Sequence, residues 1–175
     1  MDKYSLMSFG DPTPDLRLEV AIARRSDLLT IIYSLVGDLF KVVVPEALPD
    51  PARRDRLWEE TCFEFFIAPK HSPQYWEFNL SPSGHWNVYH FDDYRKGMKV
   101  EASFEELPSD VHRQLDSLAV EVQADLGKIV KAGVPIQAAI SAVIKRQDGT
   151  VTYWALSHCG EQPDFHLRDS FTIEL

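Results

Sequence analysis

Carboxylates, amides and aromatic rings are concentrated between residues 58 and 95 of the chain. Alternation along three strand-like segments places five polar or aromatic side chains on one face: Glu64, Glu77, Asn79, Asn87 and Tyr89. Carboxylate and amide groups hydrogen-bond hydroxyls, and aromatic rings stack on the apolar faces of sugar rings. The combination indicates a site for a sugar-like molecule. The alternative is the ordinary solvent-facing side of an antiparallel sheet.

Other residues nearby carry weaker indications of chemistry. Glu64 and Glu77 are also the two carboxylates that glycoside hydrolysis requires, so a small glycan-acting enzyme is an alternative. Trp58 could stack on a ligand or cap the core, and Arg95 could clamp an anion or form a surface ion pair. The segment 158–166 mixes His, Cys, Glu and Asp at spacings that match no metal-ligand pattern. No GxGxxG, P-loop, HExxH or GxSxG motif occurs, which favours a binding module over an enzyme.

The strands that carry these residues are predicted to form a β-meander. Thr61–Ile67, Tyr75–Ser81 and Trp86–Phe91 are strand-like, and the segments between them contain Pro and Gly. The register that keeps apolar faces together pairs Phe65 with Phe78 and Glu64 with Asn79.

Strand signals also dominate the rest of the chain. They lie at 16–22, 28–36, 42–44, 118–126 and 171–175, and at 135–146 and 150–157 on either side of Asp148-Gly149. Pro45–Arg56 contains three prolines and is predicted to be a long surface loop. Pro108, Ser109 and Asp110 suggest the start of a short helix within 105–118. These patterns predict an all-β fold, an antiparallel β-sandwich of about nine to ten strands with one short helix. A single domain over residues 1–175 is expected.

Composition limits the partners and the compartment. The net charge of −9 argues against nucleic acid and against anionic membrane surfaces. Met1–Pro14 has no signal-peptide pattern, and no apolar run is long enough to span a bilayer, so a cytoplasmic location is expected. Cys62 and Cys159 would then be free thiols, whereas export would allow them to pair.

Six segments of the chain together resemble a known family. They are LWEETCFEFFI at 57–67, YWEFNLSPSG at 75–84, YHFDDYRKGM at 89–98, YWALSH at 153–158, PDFH at 163–166 and DSF at 169–171. They resemble the DOMON-like domains related to family-9 carbohydrate-binding modules, over nearly the whole length. The resemblance implies a β-sandwich with a ligand pocket on one sheet. Members of this group bind sugars, and some DOMON domains bind haem.

The resemblance also suggests roles for particular residues. Trp58, with Trp86 or Tyr89, would be the candidate rings that clamp a sugar. Met98 and His158 would be the candidate haem ligands, and Asp92-Asp93 a candidate calcium site. No motif brings either set together, so no cofactor is expected. The expected function is non-catalytic binding of a carbohydrate or sugar-like small molecule on the concave face of one sheet. A glycan-acting enzyme and a haem-binding or protein-interaction domain are the alternatives.

Overall fold

The strands that carry the polar face form at the positions that the alternation of apolar and polar residues predicts. A computed structural model describes residues 1–175, in which twelve strands are joined by loops and four short 3₁₀ turns. The strands are β1 (Asp2–Ser8), β2 (Leu16–Arg25), β3 (Leu28–Gly37), β4 (Cys62–Pro69), β5 (Tyr75–Leu80), β6 (Trp86–Phe91), β7 (Lys99–Val100), β8 (Ser109–Arg113), β9 (Ser117–Asp125), β10 (Ile136–Lys145), β11 (Val151–Ala155) and β12 (Ile173–Glu174). No helix in the structure is long and apolar enough to cross a membrane.

The strands make two antiparallel layers that are linked through β1. One layer has the order β8-β9-β3-β2-β1, and the other has the order β7-β6-β5-β4-β10-β11 with β12 on β10. The beginning of β1 pairs with β2, and its end pairs with β11, so β1 passes from one layer into the other. The predicted all-β antiparallel fold is therefore confirmed.

The main core lies between the two layers. In β2 the alternating residues Leu16, Leu18, Val20 and Ile22 are buried, as their period of two predicts. They belong to a cluster of 34 buried residues drawn from both layers. On the other layer the rings of Phe65 and Phe78 stack with their centroids 4.3 Å apart. This packing fixes which face of β4 and β5 points inward, and so fixes the polar face as well.

The face opposite the core is covered, and this corrects one expectation. Every residue of β5 and β6, and all of β4 except Pro69, is buried. Strands that are covered on both faces lose the exposed polar side of an ordinary antiparallel sheet. The polar face predicted from the sequence is therefore not freely accessible to solvent.

Three details of the predicted secondary structure are wrong. No strand forms at 42–44, where Val42 makes only an isolated bridge to Arg146. The structure has more strands than the nine or ten predicted, partly because β1, with only Leu6 buried, carries little apolar alternation. The helix predicted within 105–118 is instead β8, which pairs with β9 in a hairpin. Ser109 and Asp110 resemble a helix start, but the segment that follows lacks an apolar stripe, and edge pairing with β9 satisfies its backbone.

Candidate functional site

The covered face of the β4-β5-β6 meander has its own small core. It consists of seven buried residues: Phe66, Ala68, Tyr75, Tyr89, Phe91, Ala139 and Phe171. Trp58 and Phe165, from loops far apart in sequence, pack against it. The loops around residues 55–60, 92–98 and 157–171 thus build a second layer over this face of the sheet.

Polar side chains form a row across this covered face. The register aligns Ser141 of β10 with Glu64 of β4, Glu64 with Asn79 of β5, and Asn79 with Asn87 of β6. Phe65 pairs with Phe78, so the register predicted from the sequence is confirmed. Glu77 lies in the next row on the same face, between Phe66 and Tyr89.

A pocket of about 390 Å³ opens over one end of this row. Its size lies in the range that is typical of small-molecule sites. Eleven residues line it: Trp58, Glu64, Glu77, Phe91, Arg95, Met98, Val143, Tyr153, Pro163, Phe165 and His166. The pocket therefore combines aromatic and apolar walls with two carboxyl groups, an imidazole and a guanidinium.

Glu77 is held in place by side chains from two elements. Its Oε1 accepts a hydrogen bond of 2.9 Å from Asn79 Nδ2, and its Oε2 lies 3.7 Å from His166 Nε2. Burial raises the pKa of Glu77 to about 7, although the Asn79 hydrogen bond acts in the opposite direction. A carboxyl group with a pKa near neutrality can gain or lose a proton when a ligand binds.

Glu64 is more deeply buried than Glu77 and has no cationic partner. Only 3 % of the residue is exposed, and its pKa is raised well above the usual range by burial and then by the nearby charge of Glu77. The Cys62 thiol and the buried Ser141 hydroxyl lie beside the Glu64 carboxyl group and act in the opposite direction, since hydrogen bonds from them lower its pKa. The Glu64 carboxyl group at the back of the pocket is therefore contacted by neutral donors and by no cation.

His166 joins the carboxyl pair to the aromatic wall. Its Nδ1 shares a hydrogen bond of 2.8 Å with the Tyr75 hydroxyl, and its ring packs edge-on against Phe66 and Phe91. Burial, and next the positive charge of Arg95, lower the pKa of His166 to about 4. The imidazole is consequently neutral at pH 7 and does not neutralise the carboxyl pair.

The rim of the pocket is fastened by Asp164. Its carboxylate accepts a hydrogen bond of 2.8 Å from Arg95 and others from the Tyr94 hydroxyl and the His166 backbone N–H. Arg95 has a φ of +52°, and the turn continues through Gly97 at +67°. A Cβ at Gly97 would lie 2.0 Å from Asp92 Oδ2, so only glycine fits that position.

The structure brings together four of the eight residues proposed from the sequence: Trp58, Glu64, Glu77 and Arg95 all line the pocket. Asn79 lies behind Glu77 and positions it. Trp86 lies on the opposite face, within the main core and under the Arg53 guanidinium at 4.3 Å.

Asn87 and Tyr89 are on the predicted face, but their side chains form hydrogen bonds with the loop that precedes the meander. Asn87 Nδ2 donates to the Arg54 carbonyl at 3.0 Å and to the Tyr89 hydroxyl at 2.8 Å, and Tyr89 donates to the Asp55 carboxylate. Their polar atoms are therefore used within the protein and do not line the pocket.

Several residues of the pocket were not predicted from the sequence, chiefly His166, Phe165 and Tyr153. His166 and Phe165 lie in a C-terminal segment without regular structure, and contacts to residues about ninety positions earlier leave no periodic signal. Met98 also lines the pocket, whereas His158 bonds the Met7 carbonyl at 2.8 Å and is not part of it. No group of three His, Cys, Asp or Glu side chains is arranged to hold a metal ion.

Comparisons with known proteins identify the fold. No protein-family model and no curated protein sequence matches the chain. A solved structure of a suggested carbohydrate-binding protein from Bacteroides uniformis matches 98% of this chain and 84% of its own, with 13% identity and a TM-score of 0.67.

A second solved structure shows a more distant similarity. A family-9 carbohydrate-binding module from Caldicellulosiruptor kristjanssonii, in complex with cellotriose, matches 87% of this chain and 71% of its own. The identity is 10% and the TM-score is 0.53. At these identities the chain shares the β-sandwich fold of these proteins, and the resemblance to DOMON-like domains stays a prediction.

Proposed function

We propose that this protein is a non-catalytic binding module that holds a carbohydrate or sugar-like small molecule in the pocket over the β4-β5-β6 meander. The observation that carries the proposal is the pairing of ring walls with buried carboxyl groups in one cavity. Rings cover the apolar faces of a pyranose, while carboxyl groups accept hydrogen bonds from its hydroxyls.

The fold supports the same proposal. The similar solved structures described above include a family-9 module in complex with cellotriose, which gives a sugar ligand as the first class to test. The pocket here is built by loops that cover one sheet, and its two carboxyl groups come from the strands beneath. A rigid sheet that carries the polar groups is suited to fixing the orientation of a small ligand.

The experiment is a two-stage binding measurement on the whole chain. A thermal-shift screen of mono- and oligosaccharides selects sugars that stabilise the folded protein, and titration calorimetry then measures their affinity. Replacing Trp58 or Phe165 with Ala should weaken binding by about 1–3 kcal/mol if each ring stacks on the ligand. Phe40, which is 76% exposed and lies outside the pocket, provides the matched control Phe40→Ala. If neither Trp58→Ala nor Phe165→Ala changes the affinity, the sugar binds outside this pocket.

A second candidate function is hydrolysis of a glycan by the two carboxyl groups. The specific observation in its favour is that Glu64 and Glu77 share one pocket and that both have raised pKa values. A protonated carboxyl group is what glycosidases use as the general acid. Incubating the protein with any oligosaccharide that binds, followed by chromatography of the products, separates the two functions. An intact ligand supports the binding module.

A further inference from the structure

Neither carboxyl group of the pocket makes an ion pair with a Lys or Arg side chain, and the charge of Arg95 acts on Glu77 only from a distance. No basic side chain lies within ion-pair distance of Glu64, whose polar side-chain neighbours are the Cys62 thiol and the Ser141 hydroxyl. Both Glu64 and Ser141 are almost wholly buried. Burying a carboxylate without a partner is costly, so burial favours the neutral form of Glu64, and a cation placed beside it would favour ionisation.

The nearby basic groups of the protein do not supply such a cation. His166 Nε2 is 3.7 Å from Glu77, but the imidazole is neutral because its pKa is lowered to about 4. The Arg95 guanidinium is bound to Asp164 at 2.8 Å and lies at the half-exposed rim. Asn79, which donates to Glu77, contributes a hydrogen bond without a charge.

The walls of the pocket are also suited to a cation. The rings of Trp58, Phe91, Tyr153 and Phe165 and the thioether of Met98 line the cavity around the two carboxyl groups. Aromatic faces attract ammonium groups through their quadrupoles, and the attraction grows when water is excluded. A neutral sugar would pack on the rings but would bring no positive charge to the carboxyl groups.

We propose that the pocket prefers a ligand that carries a protonated primary amine, an amino sugar in the first instance, over the equivalent neutral or anionic sugar. This preference rests on the proposed function, since it names the chemical class of the ligand for the same pocket. The ammonium group supplies the counter-charge to Glu77 and Glu64 and three hydrogen-bond donors. An anionic ligand would instead place its charge against this pair, while the Arg95 guanidinium is already occupied by Asp164.

Binding of the amine should release a proton near pH 7. Glu77 has a pKa of about 7 in the free protein, and an adjacent ammonium favours its ionised form. The titratable or charged groups around it are Glu64 and Cys62 of β4, Tyr75 of β5, Tyr89 of β6 and, from the covering loops, His166 and Arg95 with its partner Asp164. Among these groups, Glu77 is the one whose pKa lies close to neutrality.

The test uses glucosides that differ at one substituent. Methyl glucoside is compared with its 6-amino-6-deoxy and 2-amino-2-deoxy derivatives and with methyl glucuronide, by calorimetric titration at pH 7 and pH 8. At least one amine should bind about tenfold more tightly than methyl glucoside, as expected when a charged hydrogen bond replaces a neutral one. Repeating the titration at pH 7 in buffers of different ionisation enthalpy should reveal proton release with the amine and none with methyl glucoside.

Glu77→Gln removes the charge and keeps an oxygen that can accept from Asn79. In this variant the ratio of amine to glucoside affinity should fall towards one, whereas Glu19→Gln, a half-exposed carboxylate on β2, should leave the ratio at its wild-type value. The preference for an amine is overturned if the wild type binds amine and glucoside equally, or if it binds the glucuronide most tightly. Either result would still agree with the proposed binding of sugars. If none of these sugars binds and the oligosaccharide screen is also negative, the proposed function fails and the preference falls with it.

Discussion

Glu64 and Glu77 are diagonal neighbours on one face of adjacent strands, because Glu64 pairs with Asn79 and Phe66 pairs with Glu77. Diagonal positions of this kind lie about 7–8 Å apart across a sheet, within reach of long side chains. Both carboxyl groups are buried, and the charge of Glu77 further raises the pKa of Glu64. The relationship makes the pair a titrating unit whose charge depends on pH close to neutrality.

The first prediction concerns the pH dependence of stability. The folded protein keeps a proton on Glu77 up to about pH 7, whereas the unfolded chain releases it near the usual pKa of 4.5. Stability contributed by this group is complete below pH 4.5 and is lost as the pH rises to 7. Glu77→Gln removes the dependence, so the variant should become more stable relative to wild type at pH 8 than at pH 5. Urea unfolding at both pH values measures the difference.

His166 acts in the opposite direction, which is why the variant is compared with wild type at each pH. The folded-state pKa of His166 is lowered to about 4, so its contribution is present at high pH and is lost as the pH falls below 6.5. That contribution is shared by the two proteins and largely cancels in the comparison. Glu19→Gln should follow the wild type at both pH values. A constant difference between wild type and Glu77→Gln would show that Glu77 titrates normally.

The second prediction tests the assignment of the two faces. Phe65 is fully buried and stacks on Phe78, so Phe65→Ala should lower the free energy of unfolding by about 3–5 kcal/mol. Phe40→Ala, at a position that is 76% exposed, should change it by less than about 0.5 kcal/mol. Chemical denaturation of both variants at one pH provides the comparison. Equal effects would contradict the division into core and surface.

The third prediction concerns how the loop before the meander is anchored. The Arg53 guanidinium donates to Asn87 Oδ1 at 2.6 Å and to the Glu101 carbonyl at 3.1 Å, and it lies over the Trp86 ring. Arg53→Met leaves these acceptors without their charged donor and should cost about 1.5–3 kcal/mol of stability. The neighbouring exposed side chain of Arg54 makes no such contacts, so Arg54→Met is the control.

Arg53→Lys separates charge from geometry at the same position. A lysine retains the positive charge but cannot reproduce the planar arrangement of several donors and the stacking on Trp86. We expect it to recover only part of the lost stability. Full recovery by Lys would mean that charge alone anchors the loop.

The fourth prediction concerns the two free thiols. Cys62 is buried, and burial raises its pKa well above the usual range, whereas Cys159 is exposed. Because the thiolate is the reactive form, Cys159 alone should react with a thiol reagent in the native protein. Unfolding without reduction should release the second thiol, and Cys159→Ser should abolish the native reaction. Two rapid thiols in the native protein would contradict the burial of Cys62.

The structure also explains which features the sequence could predict. The Phe65–Phe78 register and the side of Glu64 and Asn79 followed from apolar alternation, which is a local signal that tertiary packing preserves. The same alternation does not predict that loops cover this face of the sheet. The residues that close the pocket, such as His166 and Asp164, meet the meander through long-range contacts from a segment without a period. The β8 hairpin was missed for a related reason, since a short edge strand has too few buried positions to show alternation.

The last prediction concerns the fastening of the two loops that form the rim. The Asp164 carboxylate connects Tyr94 and Arg95 of one loop to the His166 backbone of the other. Its removal therefore breaks the hydrogen bonds that join the two loops. Asp164→Ala should lower stability by only about 1–2 kcal/mol, because these bonds lie partly in solvent. Amide hydrogen exchange should speed up in residues 92–98 and 158–166, while the β4-β5-β6 strands stay protected. Ligand dissociation should also become faster, since the rim no longer holds the walls in place.

The matched control for this change is Glu161→Ala, which removes an exposed carboxylate from the same segment. It alters the net charge by the same amount and leaves the Asp164 hydrogen bonds intact. Hydrogen exchange in the two loops should match the wild type in this variant. If Asp164→Ala also leaves exchange in both loops unchanged, the loops are held by packing of Phe91 and Phe165 alone. If protection is lost throughout β4, β5 and β6, Asp164 supports the whole layer, and the rim is not a separate mobile unit.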